Sequence, residues 1–333
     1  MSLFRSLALF CATAVWTLAA PKSLEVFFID VEGGQATLLV TPSKQAVLVD
    51  TGWPGFSNRD ADRIAKAAKS AGVKAIDYLI ITHYHMDHVG GVPQLAAKLP
   101  VKNFVDHGPN RESGRQADQL FQDYSEAAAK GKRMIVKPGD TIPLKDVEIQ
   151  VVTADGNSID GTGPANSLCS SAPQYPEDKS ENAKSLGVRI KYGKFRMLDL
   201  GDLTSQRELD LVCPSNKVGP VDVYLTTHHG MEQSNAKEIV YAVQPRVAIM
   251  NNGARKGGAP AAWKIIKSSP GLEDLWQVHY SIAGKSEANS PEPFIANLEE
   301  QCEGQYLKVT ANSDGSFSVW NSRNKYSKNY PAR

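Results

Sequence analysis

The 333-residue chain sets 37 Lys and Arg against 36 Asp and Glu, so no global basic field points to nucleic acid and no acidic balance points away from it. Apolar residues make up 41% and charged residues 22%, which excludes a disordered or fibrous chain and fits a soluble globular one. The length suffices for one large domain with a sizeable core, and residues 21–333 are read as a single domain.

Residues 1–20 read as a secretory signal peptide. Arg5 supplies a positive charge, residues 7–20 form an apolar run too short for a comfortable span, and Thr17 and Ala19 stand at small-residue cleavage positions. An uncleaved anchor is the alternative. No later stretch is long and apolar enough to span a bilayer, so a secreted or periplasmic protein with no membrane contact after signal removal is expected. Cys11 would leave with the signal. Cys169, Cys213 and Cys302 remain, without CxxC spacing; one disulfide is possible, its connectivity is not readable, and cysteine ligation of a metal has little support.

Three strands are expected first, over residues 24–31, 36–41 and 46–50, with short Gly33-Gly34 and Pro42-Ser43 connections that suit hairpins. Residues 58–71 have the pattern of an amphipathic helix, with Ile64, Ala67, Ala68 and Ala71 on one face and Arg63, Lys66 and Lys69 opposite. Asn58 is its expected N-cap and Gly72 its C-cap.

The next stretch organises the rest. Tyr78-Leu79-Ile80-Ile81-Thr82 is a short buried strand, and His83-Tyr84-His85-Met86-Asp87-His88 leaves its carboxyl end. Gly90-Gly91 closes the cluster and Pro93 opens a helix over 94–97. Three of the chain's seven histidines and an aspartate fall within six residues, and imidazole nitrogens with a carboxylate are the ligand set of zinc and similar divalent ions.

A strand over 101–106 ends at His107, placed to look into a site although an isolated histidine there is more often not a ligand. A helix over 116–130 follows, with Leu120, Phe121 and Tyr124 on its apolar side, then strands at 134–136 and 147–152 around the turn Pro138-Gly139-Asp140. Residues 155–181 form a long polar loop that carries Cys169 and either borders a substrate cleft or is merely solvated. The hairpin of 185–192 and 195–200 turns at Gly193-Lys194 and delivers Gly201-Asp202. A buried strand over 221–227 ends in His228-His229-Gly230. Residues 246–250 make a further strand, followed by the polar loop 251–258 with Arg255-Lys256; strands at 276–280, 306–310 and 316–320 complete the chain.

The order His83-x-His85-x-Asp87-His88 after an apolar strand resembles the signature of the metallo-β-lactamase superfamily. Phe28-Ile29-Asp30-Val31, Gly33-Gly34-Gln35-Ala36-Thr37, Leu48-Val49-Asp50-Thr51-Gly52, Gly201-Asp202 and His228-His229-Gly230 make the chain similar to the ComEC-type branch, found in bacterial competence proteins and free-standing relatives. The resemblance implies an α/β (α+β) fold, a four-layer αββα sandwich. It implies that Asp50 stands behind the metal ligands, that Asp202 bridges two metals and that one histidine of the 228–229 pair completes the second site. His228 is favoured because it comes straight off the strand; His229 is kept as a catalytic, proton-handling candidate.

One departure matters. Most hydrolases of the superfamily place another histidine before the bridging aspartate, whereas here Glu181-Asn182-Ala183-Lys184-Ser185 stands at that place, and ComEC-type relatives look similar there. A first site of His83, His85 and Asp202, incompletely filled, and a fuller second site of Asp87, His88, Asp202 and His228 are therefore expected, with one or two Zn²⁺ or, by supply, Mn²⁺. The expected chemistry is metal-assisted hydrolysis of an ester or phosphodiester, with Asp87 orienting water and carrying a proton, and His229, Lys184 or Arg255 stabilising a developing anion. The substrate is a small-molecule or nucleic-acid ester, with extracellular nucleic acid set against a lactone or β-lactam; a metal-stabilised binding module without catalysis is the non-enzyme alternative. No stable protein partner is expected.

Overall fold

The computed structural model describes residues 22–333; the signal-peptide reading of residues 1–20 lies outside the described residues. Two nine-stranded sheets carry the chain. In the first, the spatial order is Ser327–Tyr330, Phe317–Asn321, Tyr306–Ala311, Leu24–Ile29, Thr37–Val40, Ala46–Val49, Ile76–Ile80, Val101–Asp106 and Lys132–Ile135. In the second it is Ile295–Asn297, Asp274–His279, Val247–Met250, Val223–Leu225, Phe195–Asp199, Gly187–Tyr192, Glu148–Ala154 and Thr141–Ile142, with Asn157–Ser158 paired on Glu148–Ala154.

Pairing follows connection length. Short turns leave Leu24–Ile29, Thr37–Val40 and Ala46–Val49 antiparallel. The helix Arg59–Ser70 then intervenes, and Ile76–Ile80 pairs parallel with Ala46–Val49, as a crossover requires. The second sheet changes likewise from the antiparallel hairpin of Gly187–Tyr192 and Phe195–Asp199 to parallel strands from Val223–Leu225 onward.

The layers follow from the strand period of two. Phe28, Leu39, Val47 and Ile80 face Ile149, Ile190, Met197 and Trp276 in a core between the sheets. Leu38, Leu48 and Leu79 point to the other side, against Ile64 of Arg59–Ser70 and Tyr124 of the helix Arg115–Ala128. The second sheet covers its outer face with Ser205–Val212, Lys237–Val243 and Pro260–Lys267, through Ile239 and Ile266 against Leu198, Tyr224 and Ala248. This is the expected αββα sandwich.

The structure differs from the expectation in particular places. The helix begins at Arg59, but Asn58 lies in the left-handed region at φ 67° and its side chain caps nothing. The second sheet's three outer helices went unread because each is short and flanked by turns. Ser327–Tyr330 is a polar edge strand that buries only Tyr330, so it shows no apolar alternation. Cys169 and Cys213 form a disulfide that ties the long loop to the end of Ser205–Val212, while Cys302 is a free thiol. Among the described residues no helix is long and apolar enough to cross a membrane.

Candidate metal centre

The carboxyl ends of strands from both sheets meet at one edge of the sandwich. Asp50 ends Ala46–Val49, the segment 82–88 follows Ile76–Ile80, Asp202 follows Phe195–Asp199, and His228-His229 follow Val223–Leu225. The Leu186 N–H donates to the Thr82 carbonyl (2.7 Å), and Gln35 Nε2 donates to Asp199 Oδ2 (2.8 Å), so hydrogen bonds tie the two sheets here.

Asp50 is fully buried and organises the first half. Its carboxylate accepts from the Thr82 N–H (2.8 Å), from Thr82 Oγ1 (2.7 Å) and from His88 Nδ1 (2.7 Å). A carboxylate only accepts, so Nδ1 carries a proton in either charge state, and Nε2 points into the centre as the atom that would bind a metal. That nitrogen lies 3.2 Å from Asp87 Oδ2, 3.2 Å from Asp202 Oδ2 and 3.2 Å from His229 Nε2. His229 Nε2 is in turn 3.2 Å from Asp87 Oδ2 and 3.2 Å from Asp202 Oδ1. Asp87, His88, Asp202 and His229, all buried, each offer one ligand atom within 4.8 Å of the others.

His229, kept in the sequence as a proton-handling candidate, joins this cluster, and the favoured His228 stands beside it. Both residues have positive φ, 55° and 54°, held by the His228 N–H donating to the Gly201 carbonyl (2.9 Å). Two successive left-handed residues turn the chain, and both rings approach the Asp202 carboxylate, His229 at Oδ1 and His228 at Oδ2. His228 Nε2 stays 3.4 Å from Asp202 Oδ2 and its Nδ1 3.3 Å from Ser234 Oγ. Its ring forms part of the wall of a cavity of about 480 Å³, and burial lowers its pKa to about 4.

The proposed first site is looser. His83 Nε2 is 4.0 Å from Asp202 Oδ2, buried and without a hydrogen-bond partner. His85 stands edge-on to the His83 ring at 4.6 Å, is 30% exposed, and reaches Glu112 Oε1 at 3.2 Å. Where the extra histidine would stand, Glu181 is a strut instead. Its carboxylate accepts from His107 Nε2 (3.0 Å), the Tyr84 N–H (3.2 Å) and the Arg111 N–H (2.6 Å). His107 is therefore a buried partner of Glu181 and contributes no ligand atom to the cluster.

Lys184 Nζ lies beside Gly156, and Arg255 pairs with Glu300, so neither reaches the cluster. The cation that does is Lys256. Its Nζ contacts Asp87 Oδ2 and sits 5.1 Å from the centre of the Trp53 ring. The sequence marks Arg255-Lys256 as the basic pair of loop 251–258 and names Arg255 for the anion-stabilising part, whereas the structure brings Lys256 to Asp87.

The donor set fits a divalent cation. Two imidazole nitrogens face two carboxylates, with His83 Nε2 and Asp202 Oδ1 orphaned beside them. Burial alone pushes both carboxyls up, yet histidine charge holds Asp87 and Asp202 well below the usual range, with Lys256 assisting at Asp87. Burial pushes the His88 imidazole down, yet Asp202, Asp87 and Asp50 raise it well above the ordinary value. The cluster demands positive charge, and an N₂O₂ set suits zinc-type ions.

Comparison with known proteins finds similarity to one family model and to several curated proteins. Residues 29–171 match the family model "Metallo-beta-lactamase superfamily". The chain is 26% identical to "ComE operon protein 3" of Bacillus subtilis over 73% of its own length and 30% of that protein. It is 23% identical to "Recombination protein 2" of Haemophilus influenzae over 90% of its length and 31% of that protein. The match thus spans about a third of these relatives. A "UPF0173 metal-dependent hydrolase" of Aeropyrum pernix is 24% identical over 65% of this chain and 78% of the relative.

Proposed function

From a chain that carries a metallo-β-lactamase superfamily domain of ComEC-type relationship, we propose a metal-dependent hydrolase, secreted or periplasmic, that cleaves an ester bond. The observation that carries this reading is the convergence of Asp87, His88, Asp202 and His229 on one point beside an open cavity. Zn²⁺ is the favoured ion and Mn²⁺ the alternative. When bound, such an ion supplies a water acidic enough to ionise near neutrality and polarises the substrate oxygen.

The chain's own residues do the rest. Asp50 fixes His88 so that Nε2 rather than Nδ1 faces the reaction. Asp87, kept ionised by the neighbouring histidines and Lys256, orients the attacking water. Lys256, within reach of that carboxylate, neutralises negative charge that develops on the substrate. His228 on the cavity wall, neutral with a pKa near 4, accepts or donates a hydrogen bond to substrate.

Two substrate readings remain, and each rests on an observation. The competence relatives and Lys256 favour a phosphodiester of extracellular nucleic acid. The cavity favours a small uncharged ester such as a lactone: Glu177, Asp178 and Glu232 line it beside Asn182, Thr204 and His228, and no Lys or Arg does. A polyanion entering there meets like charge.

Bis-p-nitrophenyl phosphate, a simple lactone and nitrocefin, tested on protein loaded with Zn²⁺ or Mn²⁺, separate the two. Turnover of the lactone or nitrocefin alone ends the nuclease reading. Metal bound at this cluster with no turnover of any ester would mean a binding module and overturn the hydrolase.

A further inference from the structure

A second cluster of ligand-type side chains lies apart from the catalytic one. Asp30 follows the strand Leu24–Ile29, Glu32 stands two residues on, His279 ends Asp274–His279, and Cys302 comes from the segment before Tyr306–Ala311. Each offers one ligand atom, and the four atoms lie within 4.8 Å of one another. Cys302 Sγ is 3.1 Å from Asp30 Oδ2 and 3.4 Å from Glu32 Oε1.

His279 is the independent sign of a ligand. It is fully buried, and its Nδ1 lies 3.1 Å from the Tyr280 carbonyl. A carbonyl only accepts, so Nδ1 carries a proton and Nε2 is the ring atom left free to meet a ligand. That Nε2 has no hydrogen-bond partner and is aimed into the cluster, 3.8 Å from Glu32 Oε2. A buried acceptor facing a carboxylate is costly unless a cation stands between them.

The charges lead to the same conclusion. Asp30 and Glu32 share the guanidinium of Arg63, whose Nη1 is 3.1 Å from each carboxylate. Two carboxylates face that one positive charge, and metal binding would add the Cys302 thiolate as a third negative charge. A divalent cation makes the cluster neutral.

The geometry points to a second divalent-metal site of the zinc class, held by Asp30, Glu32, His279 and Cys302 and separate from the catalytic centre. One nitrogen, one sulfur and two oxygens are a zinc-type set. As the Sγ–metal bond forms, the Cys302 thiol releases its proton to solvent.

The site would act as a clamp. It joins Asp30 and Glu32 to the C-terminal segment just before Gly33-Gly34-Gln35, and the Gln35 N–H donates to the Asp87 carbonyl (3.1 Å). A metal here would therefore fix the loop that supports Asp87. The inference stands whether or not the catalytic reading does.

Co²⁺ titration of the full protein under conditions that leave the disulfide intact tests it. The catalytic cluster contains no sulfur, so a near-ultraviolet thiolate-to-cobalt band reports on this site alone. The expected result is a band that grows to one Co²⁺ per chain and is lost in Cys302→Ser. Co²⁺-saturated wild type without the band, or a band unchanged in Cys302→Ser, overturns the site. Should that variant not fold, the wild-type protein answers alone: Zn²⁺ must block alkylation of Cys302, as read by peptide mass spectrometry. Unchanged alkylation at full Zn²⁺ load overturns the proposal.

Discussion

The two halves of the sandwich bring ligands to the catalytic cluster by different means. In the first half, Asp87 and His88 sit on the short helix Met86–Val89, in ordinary backbone geometry, with Asp50 fixing the ring from behind. In the second half, His229 arrives through two left-handed residues, and Asp202 follows Gly201 at φ 56°. The first half presents ligands by regular local structure, the second by a strained turn that surrounding contacts must maintain.

The sharpest way to break this comparison is to remove each histidine separately. His229→Ala should abolish stoichiometric metal binding and with it turnover, a larger loss than the ~10–100-fold that follows from removing an outer partner such as Asp50. His228→Ala should keep the metal and alter substrate handling. Elemental analysis of both variants checks this, and metal lost from His228→Ala but retained by His229→Ala would reverse the assignment.

Lys256→Gln comes next. It leaves the four ligand atoms in place and removes the one cation that reaches Asp87. The expected outcome is full metal content with kcat lowered on the order of 10²-fold, the size of loss seen when one charge-stabilising donor goes. An unchanged kcat on the phosphodiester, lactone or nitrocefin that proves to be the substrate would remove Lys256 from the mechanism.

The second half's strain also has a pH signature. Glu208 on Ser205–Val212 is fully buried, and its carboxylate accepts from the Asn235 N–H (3.0 Å) and the Ala236 N–H (2.8 Å) just after the His228-His229 turn. Burial raises its pKa from 4.5 to about 7. The folded state therefore binds more protons than the unfolded state between those values. The stability gained from this is full below about pH 4.5 and lost as pH rises through about 7, some ~3 kcal/mol in all at about 1.4 kcal/mol per unit. Urea unfolding midpoints across that range should fall with pH in the wild type and flatten in Glu208→Gln.

Legibility followed the same division. The strands of the first sheet other than Ser327–Tyr330, the helix Arg59–Ser70 and the His83-to-His88 cluster were readable because apolar periodicity and ligand spacing lie within a few residues of one another. Asp202 was readable only through its order after that cluster. The choice of His229 was not, since φ at 228 and 229 depends on contacts with Gly201 that are remote in sequence. Lys256, Glu112 and the Glu181–His107 pair were equally hidden, because each acquires its partner only when loops from different strands converge. The same holds for Cys302, for which sequence spacing gave no hint of His279 or Asp30 beside it.

The smallest expected effect tests how closely the two halves are coupled. A Cβ on Gly201 would lie 2.8 Å from Thr82 Cβ, and φ of 56° disfavours any L side chain. Gly201→Ala should therefore cost roughly 1–3 kcal/mol of stability. Thr82 is also the residue whose hydroxyl donates to Asp50 Oδ2, the oxygen that fixes His88. Displacing Thr82 from the second half should thus disturb a ligand of the first. Metal affinity should fall together with the melting temperature, though less than for Asp50→Asn, which removes the charged acceptor itself. If stability falls while metal affinity holds, the two halves present their ligands independently and the strained turn serves only its own histidine.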